Sequence, residues 1–131
     1  MKTLIVEDDF TSRLVLQTFL SRYGECHIAV NGREAVDAFR SALEREERYD
    51  LICMDVMMPE MDGREAVKQL RTIEESRGIS PAYGAKIIMT TAVNDVREVA
   101  RCYEHLCDGY LLKPINLTDL LEQVRSYDLV H

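Results

Sequence analysis

The chain has 131 residues, 47 % apolar and 30 % charged, which is enough for one domain with its own core, too little for two, and unlike a disordered or fibrous composition. Its 16 basic and 23 acidic residues leave a formal charge of -7, so the net electrostatics favour neither nucleic acid nor an anionic lipid surface, and direct DNA binding is not expected. No apolar run approaches the ~18 residues of a membrane span, and the apolar run after Lys2 passes at once into Glu7, Asp8 and Asp9, which is not a secretory leader.

Short apolar runs alternate with longer amphipathic ones. Thr3 to Val6 predicts a buried strand. Ser12 to Tyr23 follows with Val15, Leu16, Phe19 and Leu20 at helical spacing, and Gly24 ends it. Asp9 stands where its carboxylate can cap that helix. His27 to Val30 is a second strand. Asn31-Gly32 then turns into a helix bearing Ala35, Val36, Phe39 and Leu43, and the charged run from Leu43 to Asp50 reads as an extended end of it. Leu51 to Met54 is a third strand. Gly63 to Ser76 is a third helix with Ala66, Val67, Leu70 and Ile73 on its inner face, and Gly63 is expected to permit a tight turn after Asp62. Ser76 to Ala85 is a loop by its Gly and Pro content. Ile87 to Thr90 is the fourth strand, and Val96, Val99, Ala100 and Tyr103 mark a fourth helix. Tyr110 to Leu112 is a short fifth strand, and Leu117, Leu120, Leu121, Val124 and Tyr127 mark a last helix.

Cys26, Cys53, Cys102 and Cys107 contain no CxxC pair. Cys53 lies in an apolar run and reads as a small buried hydrophobe. Cys102, His105 and Cys107 lack a second ligand cluster, so a zinc site is not expected. The usage fits a reducing compartment, and a cytoplasmic location is expected.

Five βα units with continuous apolar strands imply a doubly wound α/β fold, a parallel sheet buried between helices. Ligands of such folds sit beyond the carboxyl ends of the strands. This sequence places Glu7, Asp8 and Asp9 after strand one, Asp55 after strand three, Thr90 and Thr91 at the end of strand four, and Lys113 with Pro114 after strand five. Folding needs no such set, and clustered carboxylates repel one another unless a cation neutralises them. Hard oxygen ligands suit Mg²⁺, which prefers one or two carboxylates together with phosphate oxygen. Lys113 offers a point charge to a phosphoryl group, and a threonine offers a hydroxyl donor. Together these parts describe phosphoryl transfer onto a carboxylate. Neither GxxxxGK[ST] nor GxGxxG occurs, so nucleotide binding has no motif behind it.

Four segments, L-I-V-E-D-D, M-D-V-M-M-P-E-M-D-G, I-I-M-T-T-A and G-Y-L-L-K-P, resemble in order the motifs of response-regulator receiver domains, and among those the stand-alone chemotaxis-type regulators. The resemblance covers essentially all of the chain. It implies one receiver domain over residues 1–131, flavodoxin-like, with a five-stranded parallel sheet in the order 2-1-3-4-5. It also implies that Asp55 is phosphorylated, that Thr91 is the switch hydroxyl, Tyr110 the aromatic switch and Lys113 the invariant lysine, and that the bond before Pro114 is cis. The family arginine in helix one usually stands five residues after the metal-binding acid. Arg13 is five after Asp8, so Asp8 is implied as a direct Mg²⁺ ligand beside Asp55 and the Met57 carbonyl, with Glu7 holding a metal-bound water.

The implied function is two-component phosphorelay signalling. Asp55 would take a phosphoryl group from a sensor histidine kinase or a histidine phosphotransfer protein, and the face of helix four, strand five and helix five would then bind a downstream protein or a second copy. No enzymatic output is expected beyond the domain's own phosphorylation and dephosphorylation. One alternative is a degenerate receiver acting as a phosphorylation-independent binding module, against which the intact set Glu7, Asp8, Asp55, Thr91 and Lys113 speaks. Another is a flavodoxin-like cofactor binder or small hydrolase, although three strand-end acids would repel a flavin phosphate. Residues 126–131 do not have a linker's composition, which favours a stand-alone protein over a fragment of a longer regulator or hybrid kinase. Met57 and Val93 occupy positions where the chemotaxis type carries polar residues, and neither can hold a hydrolytic water well, so a longer-lived phosphoryl group is expected.

Overall fold

The computed structural model describes residues 1–92, 97, 100 and 106–130. Five parallel strands form one sheet: β1 (Thr3–Val6), β2 (Cys26–Ala29), β3 (Leu51–Asp55), β4 (Lys86–Thr91) and β5 (Gly109–Leu112). Their order is β2-β1-β3-β4-β5, the doubly wound arrangement. The order reverses between β1 and β3, so a crevice opens beyond the carboxyl ends of those two strands. β1 and β3 are buried along their whole length, while the edge strands β2 and β5 are partly exposed. The expectation of burial on both faces therefore holds for the centre of the sheet and not for its edges.

The period-two alternation of each strand splits its side chains between two cores. Leu4, Val6, Ile52, Met54, Ile87 and Met89 pack against Phe39, Val67 and Leu70, from α2 (Gly32–Glu44) and α3 (Gly63–Ser76). Ile5, Cys53, Ile88 and Leu111 face the other way. They meet Leu16 and Leu20 of α1 (Phe10–Leu20), and Leu120 and Val124 of the C-terminal helix (Leu117–Ser126).

The helix ends show where local chemistry sets the boundaries. Asp9 caps α1 by accepting the Ser12 N–H at 2.9 Å, so the helix begins at Phe10 and not at Ser12. It ends at Leu20, and Ser21–Tyr23 is a 3₁₀ turn. β2 lies one residue earlier than the expected His27 to Val30, because Thr3 pairs with Cys26 and the Val30 N–H bonds to the Glu34 carboxylate at 3.0 Å. The segment from Leu43 to Asp50 is not a helical extension. α2 stops at Glu44; Glu46 adopts φ 59°, and the Glu46 and Glu47 N–H groups bond back to the Leu43 and Ala42 carbonyls. That is a Schellman stop with glutamate at the position glycine usually takes. β4 is longer than its expected core, and Pro81–Tyr83 adds a 3₁₀ turn to the expected loop.

Arg97 and Ala100 are helical; Val93, Val96, Val99, Cys102, Tyr103, His105 and His131 lie outside the described residues. Cys26 and Cys53 are free thiols. Cys107 is disulfide-bonded, which the reading of a reducing compartment did not anticipate. Among the described residues, no helix is long and apolar enough to cross a membrane.

Candidate functional site

β1 ends at Val6, which sends the next two side chains to opposite environments. Glu7 turns inward and is 0 % exposed, while Asp8 faces solvent. Asp55 is the last residue of β3 and is 4 % exposed. Carboxylate oxygens of Glu7, Asp8 and Asp55 lie within 4.8 Å of one another. Lys113 follows β5 and reaches between two of them, with Nζ 2.7 Å from Glu7 Oε1 and 3.3 Å from Asp55 Oδ2. Its backbone N–H donates to the Thr91 carbonyl at 2.7 Å. This bond ties the lysine to the end of β4, where Thr91 is buried.

Two backbone features hold the rim in shape. Gly63 donates its N–H to the Val56 carbonyl at 2.9 Å, and a Cβ at Gly63 would lie 2.1 Å from the Asp55 carbonyl oxygen. Gly63 is therefore required by close packing against Asp55, not by the turn geometry expected of it. Arg13 donates from Nη1 to the Glu7 carbonyl at 3.2 Å, which fixes the start of the loop after β1.

The electrostatics follow from this crowding. Burial pushes the Asp55 carboxyl up to about 7, and Glu7 pushes the same way, against the Lys113 ammonium and the Met57 N–H. Burial pulls the Lys113 ammonium down, but Glu7 and Asp55 outweigh it and leave Lys113 above its ordinary value. Asp9 is held below the usual carboxylate range by the Ser12 N–H. It belongs to the helix cap rather than to the acid cluster.

Glu7 Oε2 is buried with no hydrogen-bond partner among the described residues, a costly arrangement unless something else satisfies it. An all-oxygen set of three carboxylates around one such atom fits a hard divalent cation and resembles a Mg²⁺ site.

The other candidates stand around this cluster. Thr90 pairs with Asp55 across the sheet and is buried. Tyr110 lies on β5 opposite Met89, partly buried. Met57 is 62 % exposed, and its backbone N–H donates to the Asp55 carboxylate. The Lys113-Pro114 bond is cis. Sequence reasoning missed the support behind Tyr110. Gln123 donates from Nε2 to the Tyr110 carbonyl at 3.1 Å, and the Tyr127 hydroxyl donates to Gln123 Oε1 at 3.3 Å. Gly109 is the signal that could have found it, because a Cβ there would lie 2.1 Å from Gln123 Oε1.

The family model described as response regulator receiver domain matches residues 3–125. The hybrid signal transduction histidine kinase B of Dictyostelium discoideum is 34 % identical over 129 residues, which is 94 % of this chain but only 6 % of that protein. The fold is similar to a chain in the co-crystal structure of the Saccharomyces cerevisiae histidine phosphotransfer signaling protein Ypd1 with the receiver domain of its downstream response regulator Ssk1. There the TM-score is 0.83 at 30 % identity, covering 97 % of this chain and 88 % of that one. It is also similar to the receiver domain of the histidine kinase CKI1 from Arabidopsis thaliana complexed with Mg²⁺ and BeF₃⁻, with TM-score 0.84 at 28 % identity, covering 97 % and 89 %.

Proposed function

This chain belongs to the response-regulator receiver family, and we propose that it is a phosphoacceptor in two-component phosphorelay signalling, with Asp55 as the phosphorylated residue and residues 1–131 as one receiver domain. The observation that carries this reading is the Lys113 ammonium held between Glu7 and Asp55 at the rim where three carboxylates converge. The names of similar proteins point to the donor, a histidine kinase or a histidine phosphotransfer protein.

In the transfer, an Asp55 carboxylate oxygen attacks the phosphorus of a donor phosphohistidine. The new P–O bond forms as the P–N bond breaks, and the released imidazole takes up a proton. Lys113 already lies against Asp55, where it can neutralise charge on the transferred group. The Thr91 hydroxyl, at the end of the neighbouring strand, is the donor for a second phosphoryl oxygen. Asp8, Asp55 and the Met57 carbonyl would hold Mg²⁺, with Glu7 acting through a water, and the ion would offset the carboxylate repulsion and the phosphoryl charge. The signal ends by hydrolysis: water attacks the phosphorus, the Asp55 O–P bond breaks, inorganic phosphate leaves and the Asp55 carboxylate is restored.

The readout is a population shift. Thr91 moves toward the phosphoryl group, Tyr110 turns into the space it leaves, and the face built on β5, the C-terminal helix and the connection between β4 and β5 changes its partner affinity. A downstream protein, or a second copy of the chain, would bind there. Intact-mass spectrometry after incubation with acetyl phosphate and Mg²⁺ tests the acceptor. Wild type should gain one phosphoryl group and Asp55→Asn none; a labelled Asp55→Asn protein would move the acceptor elsewhere.

A further inference from the structure

A cavity of about 540 Å³ lies between α3 and the segment that leads into β5. It sits at the opposite end of the sheet from the acids. Ala85, beside it, is six residues before Thr91, about 20 Å at the rise of an extended strand. Its walls are mainly apolar, with Ile79, Pro81, Leu106 and Cys107 exposed to the space.

The polar base of the cavity is already committed to the protein itself. Arg71 donates from Nε to the Leu106 carbonyl at 2.9 Å, from Nη1 to Glu74 Oε1 at 2.7 Å and to the Ala85 carbonyl at 2.8 Å, and from Nη2 to Asp108 Oδ2 at 2.9 Å. Glu74 Oε2 accepts the Ala85 N–H at 2.8 Å, and Asp108 Oδ2 also accepts the Ile87 N–H at 2.8 Å. Gly84 closes over this network, since a Cβ there would lie 2.7 Å from Glu74 Oε1. The walls are thus fixed before any ligand arrives, the condition under which binding loses least to ordering.

The same bookkeeping of charge selects the ligand. Arg71 has spent its fork on four protein acceptors, so it is poorly placed to receive an anion. It offsets one of three carboxylates, Glu74, Glu75 and Asp108, which leaves two excess negative charges among the described lining residues. A mainly apolar concavity of this size with a few convergent polar groups has the character of a small-molecule site.

We propose that this cavity binds a small organic cation with an apolar body, of the alkylamine or alkylguanidine class. Its contact with residues 106–108, which lead directly into β5 and Tyr110, gives such a ligand a route to the signalling face. The binding itself does not depend on the phosphoacceptor reading.

Amide-resolved NMR titration of the full chain tests this, with saturating Mg²⁺ present so that the ammonium does not compete for the acid rim. The probes are hexylammonium, hexanol and hexanoate. Hexylammonium should give saturable shifts at residues 71–79 and 106–108, hexanol weaker shifts at the same places, and hexanoate none. Glu75→Gln, which alters an exposed residue outside the Arg71 network, should weaken hexylammonium binding by about threefold while phosphorylation is unchanged. The proposal fails if hexylammonium gives no saturable shift, if hexanoate matches it, if its shifts fall only around Asp8 and Asp55, or if Glu75→Gln binds it as tightly as wild type.

Discussion

Replacing Asp55 by asparagine should stabilise the metal-free protein, although it removes the proposed acceptor. Asp55 is 4 % exposed and its carboxyl is pushed from 3.8 up to about 7, first by burial and then by Glu7. At 1.36 kcal/mol per pH unit, that difference corresponds to about 4 kcal/mol of unfavourable charge in the folded state. The expected gain is therefore about 2–4 kcal/mol. The sign follows from linkage. A carboxyl whose folded pKa is raised is protonated in both states below about 3.8, where it carries no penalty. The penalty grows as pH rises from 3.8 to about 7 and is complete above that. Urea unfolding in a chelating buffer should therefore find Asp55→Asn more stable than wild type at pH 8, with the gap closing toward pH 4. Added Mg²⁺ should stabilise wild type more than the variant and narrow the gap at pH 8. An asparagine variant no more stable than wild type at pH 8, or a gap independent of pH, would refute the electrostatic reasoning.

Other substitutions separate roles that sit side by side in the chain. Asp9→Ala should lower the melting midpoint through loss of the α1 cap and leave Mg²⁺-dependent phosphorylation nearly intact, whereas Asp8→Ala should remove most of that phosphorylation. Denaturant melts and intact-mass spectrometry read the two effects, and the opposite pattern would reverse the assignment of the acids. Gly63→Ala should destabilise by about 1–3 kcal/mol, because its Cβ would press on the Asp55 carbonyl; a neutral melt would show that the loop yields. Met57→Asn should shorten the phospho-Asp55 lifetime by up to about tenfold, since an amide can hold the attacking water and a thioether cannot. Unchanged decay of the label at fixed Mg²⁺ would remove Met57 from the hydrolytic path.

Much of this was legible in the sequence because the signals were local and redundant. The buried strands announced themselves as apolar runs, and the strand-end positions of Glu7, Asp8, Asp55, Thr91 and Lys113 follow once those runs end where they do. Boundaries were harder where the usual residue type was absent. α3 is closed off two residues past its end by Gly78 in a left-handed conformation, as glycine advertises. α2 and the C-terminal helix make the same stop at Glu46 and Asp128, and nothing in a glutamate or an aspartate announces it. The Arg71 network was invisible for another reason. Glu74 is one turn away on the same helix, but the partners at residues 85, 106 and 108 come from two connecting segments that only the folded sheet brings to Arg71. Gly63 shows a third limit, since its need arises from tertiary approach to Asp55 and not from its own φ.

The most direct measurement of the central claim is a crystal structure of the chain with Mg²⁺ and beryllofluoride. The beryllium group should be bonded to an Asp55 carboxylate oxygen, with Lys113 Nζ and the Thr91 hydroxyl within hydrogen-bonding distance of its fluorines and Asp8 on the metal. A beryllium group on Asp8 or Asp9, or an acid rim that binds Mg²⁺ and leaves Asp55 without an adduct, would contradict it.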